Sequence, residues 1–242
     1  DVPTVGATVV LFASTDLFDI GANVGDWSIS LINKLQSRNI NQIEVHAFEP
    51  NNDTFTCLKR NIEKHPLGKI VKLIPKGCSS SIGFDKMYIA NSNSGSNSLH
   101  PGFVHSDLKT IQIEKTTIEE YCRENHIFKI QFIKSDTEGH EVEVIKGARR
   151  LFDEERIMIF QFEYNLTWLY SRCFIKDVFD LFKGTPYLVG KIAMDGLQIY
   201  REWHPEIERF FESNYVIIHK DILDRFKYKI GAFDNNYYYN AE

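Results

Sequence analysis

Phe18-Asp19-Ile20-Gly21-Ala22-Asn23-Val24-Gly25 is the stretch that decides the fold. Residues 17–20 read as a short apolar strand, the glycines as a tight turn, and 26–35 as a helix, so a strand gives way directly to a helix. In an open parallel sheet a ligand sits beyond the carboxyl ends of the strands, where glycine lets the backbone come close to it. The spacing is G-x-N-x-G and not G-x-G-x-x-G. A dinucleotide pyrophosphate wants bare amides at a helix N-terminus, whereas Asp19 repels phosphate and attracts an ammonium. S-adenosylmethionine carries such an ammonium and a cationic sulfur besides. Taken alone, the motif reads equally well as an ordinary capped turn.

Outward from this turn the strand and helix signals keep alternating. Strands are expected at 43–48, ended by Pro50, and at 69–74, with a helix between them whose Phe55, Leu58 and Ile62 form one apolar stripe. Residues 76–101 are rich in Gly, Ser and Asn and read as an excursion over the sheet's edge, with strand-like alternation at 86–90 and again at 110–113. Thr117 caps a helix to about Glu124, with Glu120 as its capping-box partner. Strands at 130–134, 157–162, 187–189 and 215–219 and helices at 141–152 and 175–182 complete the pattern. The expectation is an α/β fold, a doubly wound, mostly parallel sheet with helices on both faces. One domain is expected over 1–242: a lead-in at 1–16, a core at 17–219 and a tail at 220–242.

With 242 residues, 43% hydrophobic and 25% charged, the chain buries a full core, which excludes disordered and fibrous classes. Apolar runs such as 9–13 fall far short of the roughly 18 residues of a membrane span. A net charge of −5 with scattered Lys and Arg argues against nucleic acid as partner. Cys57, Cys78, Cys122 and Cys173 stand far apart, which reads as free thiols in a reducing, cytoplasmic setting. The sequence from Asp1 onward shows no signal-peptide pattern, the lack of an initiating Met leaves an upstream segment open, and the sequon at Asn165-Leu166-Thr167 carries little weight in such a compartment. Oligomeric state is not written in the sequence.

Two further constellations carry chemistry. Glu49 ends the second strand 24 residues after Gly25, the place from which a carboxylate accepts hydrogen bonds from the ribose hydroxyls of an adenosine. In Ser135-Asp136-Thr137-Glu138-Gly139-His140-Glu141, three carboxylates crowd the mouth of an apolar strand, so a cation, a proton or a polar ligand is expected among them. Helix capping and a surface position account for Glu141 but poorly for Asp136. His140 is a candidate general base because its ordinary pKa suits neutral pH. His46 reads as a packed histidine, Trp27 as core or a cofactor brace, and Tyr237-Tyr238-Tyr239 as packing near a chain end. Glu163 ends the strand after that of Asp136, and neighbouring parallel strands would set the two carboxylates side by side. Such a pair shares a proton or binds a cation, Mg or Mn in an all-oxygen site with Glu138 or Asn165 nearby, or else hydrogen-bonds a sugar hydroxyl.

The stretches FDIGANVG, HAFEPN, NSGSNSL, KSDTEGHEVEVIKGA and FQFEYN, in that order, resemble the FkbM family of S-adenosylmethionine-dependent methyltransferases over roughly 17–219. The chain departs from the family in its short segment before the first strand and in Cys78-Ser79-Ser80-Ser81. What the resemblance implies is a seven-stranded methyltransferase (Rossmann-like) sheet and methyl transfer to an oxygen, a hydroxyl of a glycan or glycosylated metabolite. It implies that Asp19, Gly21, Asn23 and Gly25 hold the methionine half and Glu49 the ribose. Pro50 and Asn51 would border the adenine, with Ser79 at its edge and Ser98 closing over the site. Asp136 and Glu138 would face the methyl group and the acceptor. A catalytically idle cofactor-binding module is the alternative, and a nicotinamide-dependent oxidoreductase a weaker one, since the G-x-G-x-x-G turn is missing.

Overall fold

A computed structural model describes residues 16–38, 43–89, 97–101, 109–234 and 236–241. Residues 1–15 of the lead-in expected at 1–16 and residues 93–96 of the NSGSNSL stretch therefore lie outside the described residues. Strand β1 (Asp16–Ile20) leads into α1 (Asp26–Ser37), β2 (Glu44–Phe48) into α2 (Asn52–Glu63), and β3 (Val71–Ile74) into a small group of β4 (Gly77–Cys78), β5 (Gly83–Ile89) and β6 (Lys109–Thr116). Then follow α3 (Ile118–Glu124), β7 (Ile130–Ser135), α4 (Glu141–Lys146), α5 (Arg149–Asp153), β8 (Ile157–Tyr164), α6 (Trp168–Ser171) and α7 (Ile175–Phe182). Strands β9 (Tyr187–Ala193), β10 (Gly196–Tyr200), β11 (Ser213–His219), β12 (Tyr228–Phe233) and β13 (Tyr239–Ala241) finish the chain.

The main sheet runs β13-β12-β10-β9-β11-β8-β7-β1-β2-β3. From β8 to β3 every pairing is parallel, while β11 is antiparallel to both β8 and β9. The expectation of seven strands is corrected to ten among the described residues: the run from β9 to β3 holds seven, and β10, β12 and β13 extend it. Two of these lie in the stretch expected as a tail. They are tied in by Tyr239 Oη, which donates to the Ile199 carbonyl at 2.9 Å, and by Tyr200 stacked on Phe233. Asp195-Gly196 between two alternating runs is a hairpin signal that marks β9 and β10.

Burial of β1 on both faces explains its apolar Leu17, Phe18 and Ile20. Leu17 packs with Leu31, Ile32, Leu58 and Ile62 of α1 and α2 on one face, and Phe18 and Ile20 with Ile118, Val142, Ile145 and Phe152 on the other. His46 is fully buried beside Phe18, with Nδ1 2.8 Å from Tyr121 Oη. Thr117 caps α3 through the Glu120 amide at 3.0 Å, but the Glu120 carboxylate pairs with Arg123 and does not close a capping box. The helix expected over 141–152 is two helices, interrupted at Gly147 and Ala148; Gly147 lies tight against another chain segment, for a Cβ there would stand 2.0 Å from the Ser79 carbonyl oxygen. Strand β6 pairs with β4 and β5 to make a three-stranded sheet of its own. Cys57, Cys78, Cys122 and Cys173 are free thiols. No helix among the described residues is long and apolar enough to cross a membrane.

Candidate active site

The carboxyl ends of β1, β2, β7 and β8 open into a cavity of about 570 Å³. Its floor is knitted from three strand ends. The amides of Gly21 and Ala22 donate to the Phe48 carbonyl at 3.1 and 2.9 Å, and that of Asp136 donates to the Ile20 carbonyl at 2.9 Å. Gly21 has φ +78°, and a Cβ on it would stand 1.9 Å from the Asp136 carbonyl oxygen, so only glycine fits. Gly25, with φ +97°, packs on Leu58 and does not line the cavity.

Glu49 is the hinge of this floor. Its Oε2 accepts from the Asn23 amide at 3.0 Å and its Oε1 from the Asn51 amide at 2.9 Å, which fastens the glycine turn to the start of α2. Burial pushes Glu49 up to about 7, against the two amide bonds that favour its charged form. It lines the cavity together with Pro50 and retains acceptor capacity for two hydroxyls. Asn51 does not line it: its side chain caps α2, accepting from the Asp53 amide at 3.0 Å.

Asp19 also lies behind the cavity wall. It is fully buried, accepts from Ser28 Oγ at 2.7 Å, and stands 3.6 Å from Lys134 Nζ. Burial raises its pKa, with Lys134 and Ser28 opposing. Lys134 reaches Asp136 at 3.1 Å and lines the cavity, so the ammonium that Asp19 meets in this structure belongs to the chain itself. This lysine went unread in the sequence, although a basic residue within an apolar strand is a signal. Trp27, stacked on Phe132 with ring centroids 5.8 Å apart, forms a neighbouring wall.

The strand order places Glu163 beside the loop after β7. One carboxylate oxygen each from Asp136, Glu138 and Glu163 lies within 4.8 Å of the others. Burial first, then Asp136 and Glu212, push Glu138 up to about 7. Burial, then Asp136, Glu138, Glu141 and Glu212, push Glu163 to about 9. Asn165 Nδ2 donates to Glu163 at 2.8 Å, while Asn165 Oδ1 accepts from the Thr167 amide at 2.8 Å. Glu141, expected on the helical surface, is buried instead: its Oε1 accepts from the Thr137 amide at 2.7 Å and from Thr137 Oγ1 at 3.0 Å, closing the acidic loop on itself. Glu138 and Gly139 both have positive φ in that loop.

His140 lines the cavity with both ring nitrogens near a partner. Its Nε2 lies 3.0 Å from Ser79 Oγ and its Nδ1 3.2 Å from His100 Nε2, and burial pulls its pKa down to about 4. Ser79 is thereby occupied with His140, and Ser98 Oγ donates to the Glu138 carbonyl at 2.7 Å. Neither serine lines the cavity; Asn97 and Leu99, which flank Ser98, do. Gln161 and Asn214, joined at 3.0 Å, add a polar wall that the sequence reading missed.

A mostly parallel sheet wound on both faces, with a cavity at its carboxyl ends and a carboxylate closing the second strand, defines the Rossmann-like class of α/β proteins. Within that class the chain belongs to the FkbM methyltransferases, for the family model described as the methyltransferase FkbM domain matches residues 19–215. The hexuronic acid methyltransferase AglP of Haloferax volcanii is 30% identical over 146 residues, 59% of this chain and 54% of the relative. Among solved structures, the FkbM methyltransferase of Methylobacillus flagellatus superposes with TM-score 0.48 at 15% identity, over 87% of this chain and 45% of that one. The N-terminal domain of human METTL16 in complex with SAH superposes with TM-score 0.45 at 12% identity, over 85% and 61%. The chain thus spans about half the length of the first two.

Proposed function

We propose that the chain transfers a methyl group from S-adenosylmethionine to a hydroxyl of a glycan or glycosylated metabolite, in the cytoplasm. One observation carries the reading: a single cavity is bounded by the glycine turn and Glu49 on one side and by Asp136, Glu138 and Glu163 on another. The cavity falls within the size range of cofactor and ligand pockets, and the Glu49 carboxylate is chemically matched to a ribose diol. When bound, the cofactor supplies an electrophilic methyl on a sulfonium. The chain's share is positioning and proton handling. Glu49 holds the ribose, the turn from Gly21 to Asn23 lets backbone approach the methionine half, and Asp136 takes the proton of the acceptor hydroxyl with Lys134 balancing its charge. Glu138 and Glu163, when protonated, donate hydrogen bonds to neighbouring hydroxyls of the acceptor. The four free thiols support a reducing compartment.

The all-oxygen trio also fits a hard cation, Mg²⁺ or Mn²⁺, which would lower the acceptor hydroxyl's pKa and orient it. Full activity after exhaustive EDTA treatment assigns the trio to sugar hydroxyls instead. The decisive experiment compares glycans and metabolites from cells with and without the gene by mass spectrometry, where loss of one methyl names the acceptor. With that acceptor, Asp136→Asn should depress turnover far more than affinity for S-adenosylhomocysteine. Cofactor binding without transfer to any hydroxyl acceptor would mark an idle binding module, and tighter binding of NAD than of S-adenosylhomocysteine an oxidoreductase.

A further inference from the structure

Asn97 Oδ1 is buried at the cavity and has no hydrogen-bond partner among the described residues. A buried carbonyl oxygen left unmet is unfavourable, so this position asks for a donor that the described chain does not supply. Its surroundings say which donor. Tyr88 and Ser98 form an antiparallel bridge, with amide-to-carbonyl bonds of 2.8 and 3.2 Å in the two directions. That register sets Leu99 beside Met87 and puts Asn97 on the same face as Leu99. Met87, Leu99 and Ile113 line the cavity along with Gly77 and Pro50. These last three are in mutual reach: a Cβ on Gly77 would stand 3.3 Å from Ile113 Cδ1 and 3.7 Å from Pro50 Cβ. Pro50 directly follows Glu49. An apolar slot with one unmet acceptor therefore adjoins the carboxylate that suits a ribose. The bond from Ser98 Oγ to the Glu138 carbonyl pins the segment in place.

The family resemblance sets the adenine ring beside Pro50, where this slot lies; we propose that Asn97 is the residue that reads the ring's edge, Oδ1 accepting from the exocyclic amino group. The inference rests on the S-adenosylmethionine reading above. Adenine presents two apolar faces, and its exocyclic amino group is the base's only N–H donor; the ribose hydroxyls are taken by Glu49. Asn97 thus sets the preference for adenine over other purines.

The test is calorimetric titration of the full chain with S-adenosylhomocysteine and with its deamino analogue, whose purine carries hydrogen in place of the amino group. The wild type should prefer S-adenosylhomocysteine about tenfold, the loss of one hydrogen bond to a buried acceptor. Asn97→Leu should bring the ratio of the two affinities close to one, and Asn97→Asp, which keeps an acceptor, should retain the preference. Because the readout is a ratio within each variant, a general loosening of the segment does not mimic it. An unchanged tenfold ratio in Asn97→Leu overturns the assignment, as does a wild-type ratio of one, while leaving the cofactor reading intact. If the wild type binds neither compound, the cofactor reading falls and takes this proposal with it.

Discussion

Glu163→Gln should make the ligand-free protein more stable, and the gain should grow with pH. Burial and the surrounding acids raise Glu163 from its ordinary 4.5 to about 9 in the folded chain. Between those two values the folded state holds a proton that the unfolded state has lost, so unfolding releases it and stability falls as pH rises. Glutamine has no such interval, and it still accepts from Asn165. Without screening, the wild-type carboxyl would cost about 5 kcal/mol at pH 8 and under about 1 kcal/mol at pH 5. Partial solvent access and the nearby Lys134 charge reduce the difference to about 2 kcal/mol. For a domain of this length that is about 4–8 °C in melting temperature. Thermal and urea melts of both proteins at pH 5, 6, 7 and 8, in EDTA and without cofactor, give the comparison. A stability difference that stays flat with pH, or a variant less stable than wild type at pH 8, refutes the burial argument.

Gly21→Ala should lose about 3–5 kcal/mol in urea melts, since it combines a left-handed backbone with a Cβ driven into the Asp136 carbonyl; a loss below about 1 kcal/mol would show that the contact yields. Glu49→Gln should weaken S-adenosylhomocysteine binding about tenfold by calorimetry, because its amide sets a donor against the Asn23 or Asn51 amide. His140 stays neutral from well below pH 6 upward, so His140→Gln should alter the height of the pH–rate profile between pH 5.5 and 8 without removing a limb near 6.5. A limb that disappears in the variant would restore His140 as a base.

The strands that build the cavity were legible because they are buried on both faces. Residues 17–20, 43–48, 130–134 and 157–162 are mainly apolar runs of strand length, and each is a strand of the parallel core. The neighbourhood of Asp136 and Glu163 followed from strand order, since a parallel sheet brings the ends of adjacent strands together. What stayed hidden depends on which way a side chain turns once the chain has packed. Asp19 alternates with Phe18 and Ile20, yet only the position of Lys134 decides that it faces the neighbouring strand and not a ligand. Glu141 has the charge of a surface residue and the burial of a core one because Thr137 offers it both an amide and a hydroxyl. Strand β12 escaped because its partner is distant: it pairs with β10 across some thirty positions, a register that no local pattern encodes, and β13 then pairs with β12.

The contact between Gly21 and the Asp136 carbonyl leaves no gap for a side chain or a water between the glycine turn and the acidic loop. The two sides of the cavity share a party wall, and neither can be remodelled without moving the other. Anyone wishing to broaden the range of acceptors should leave that wall alone and vary residues that face the cavity from separate supports, such as Leu99 on its bridged segment or Gln161 and Asn214 on β8 and β11. There a change in shape alters what the chamber admits while its foundation stays put.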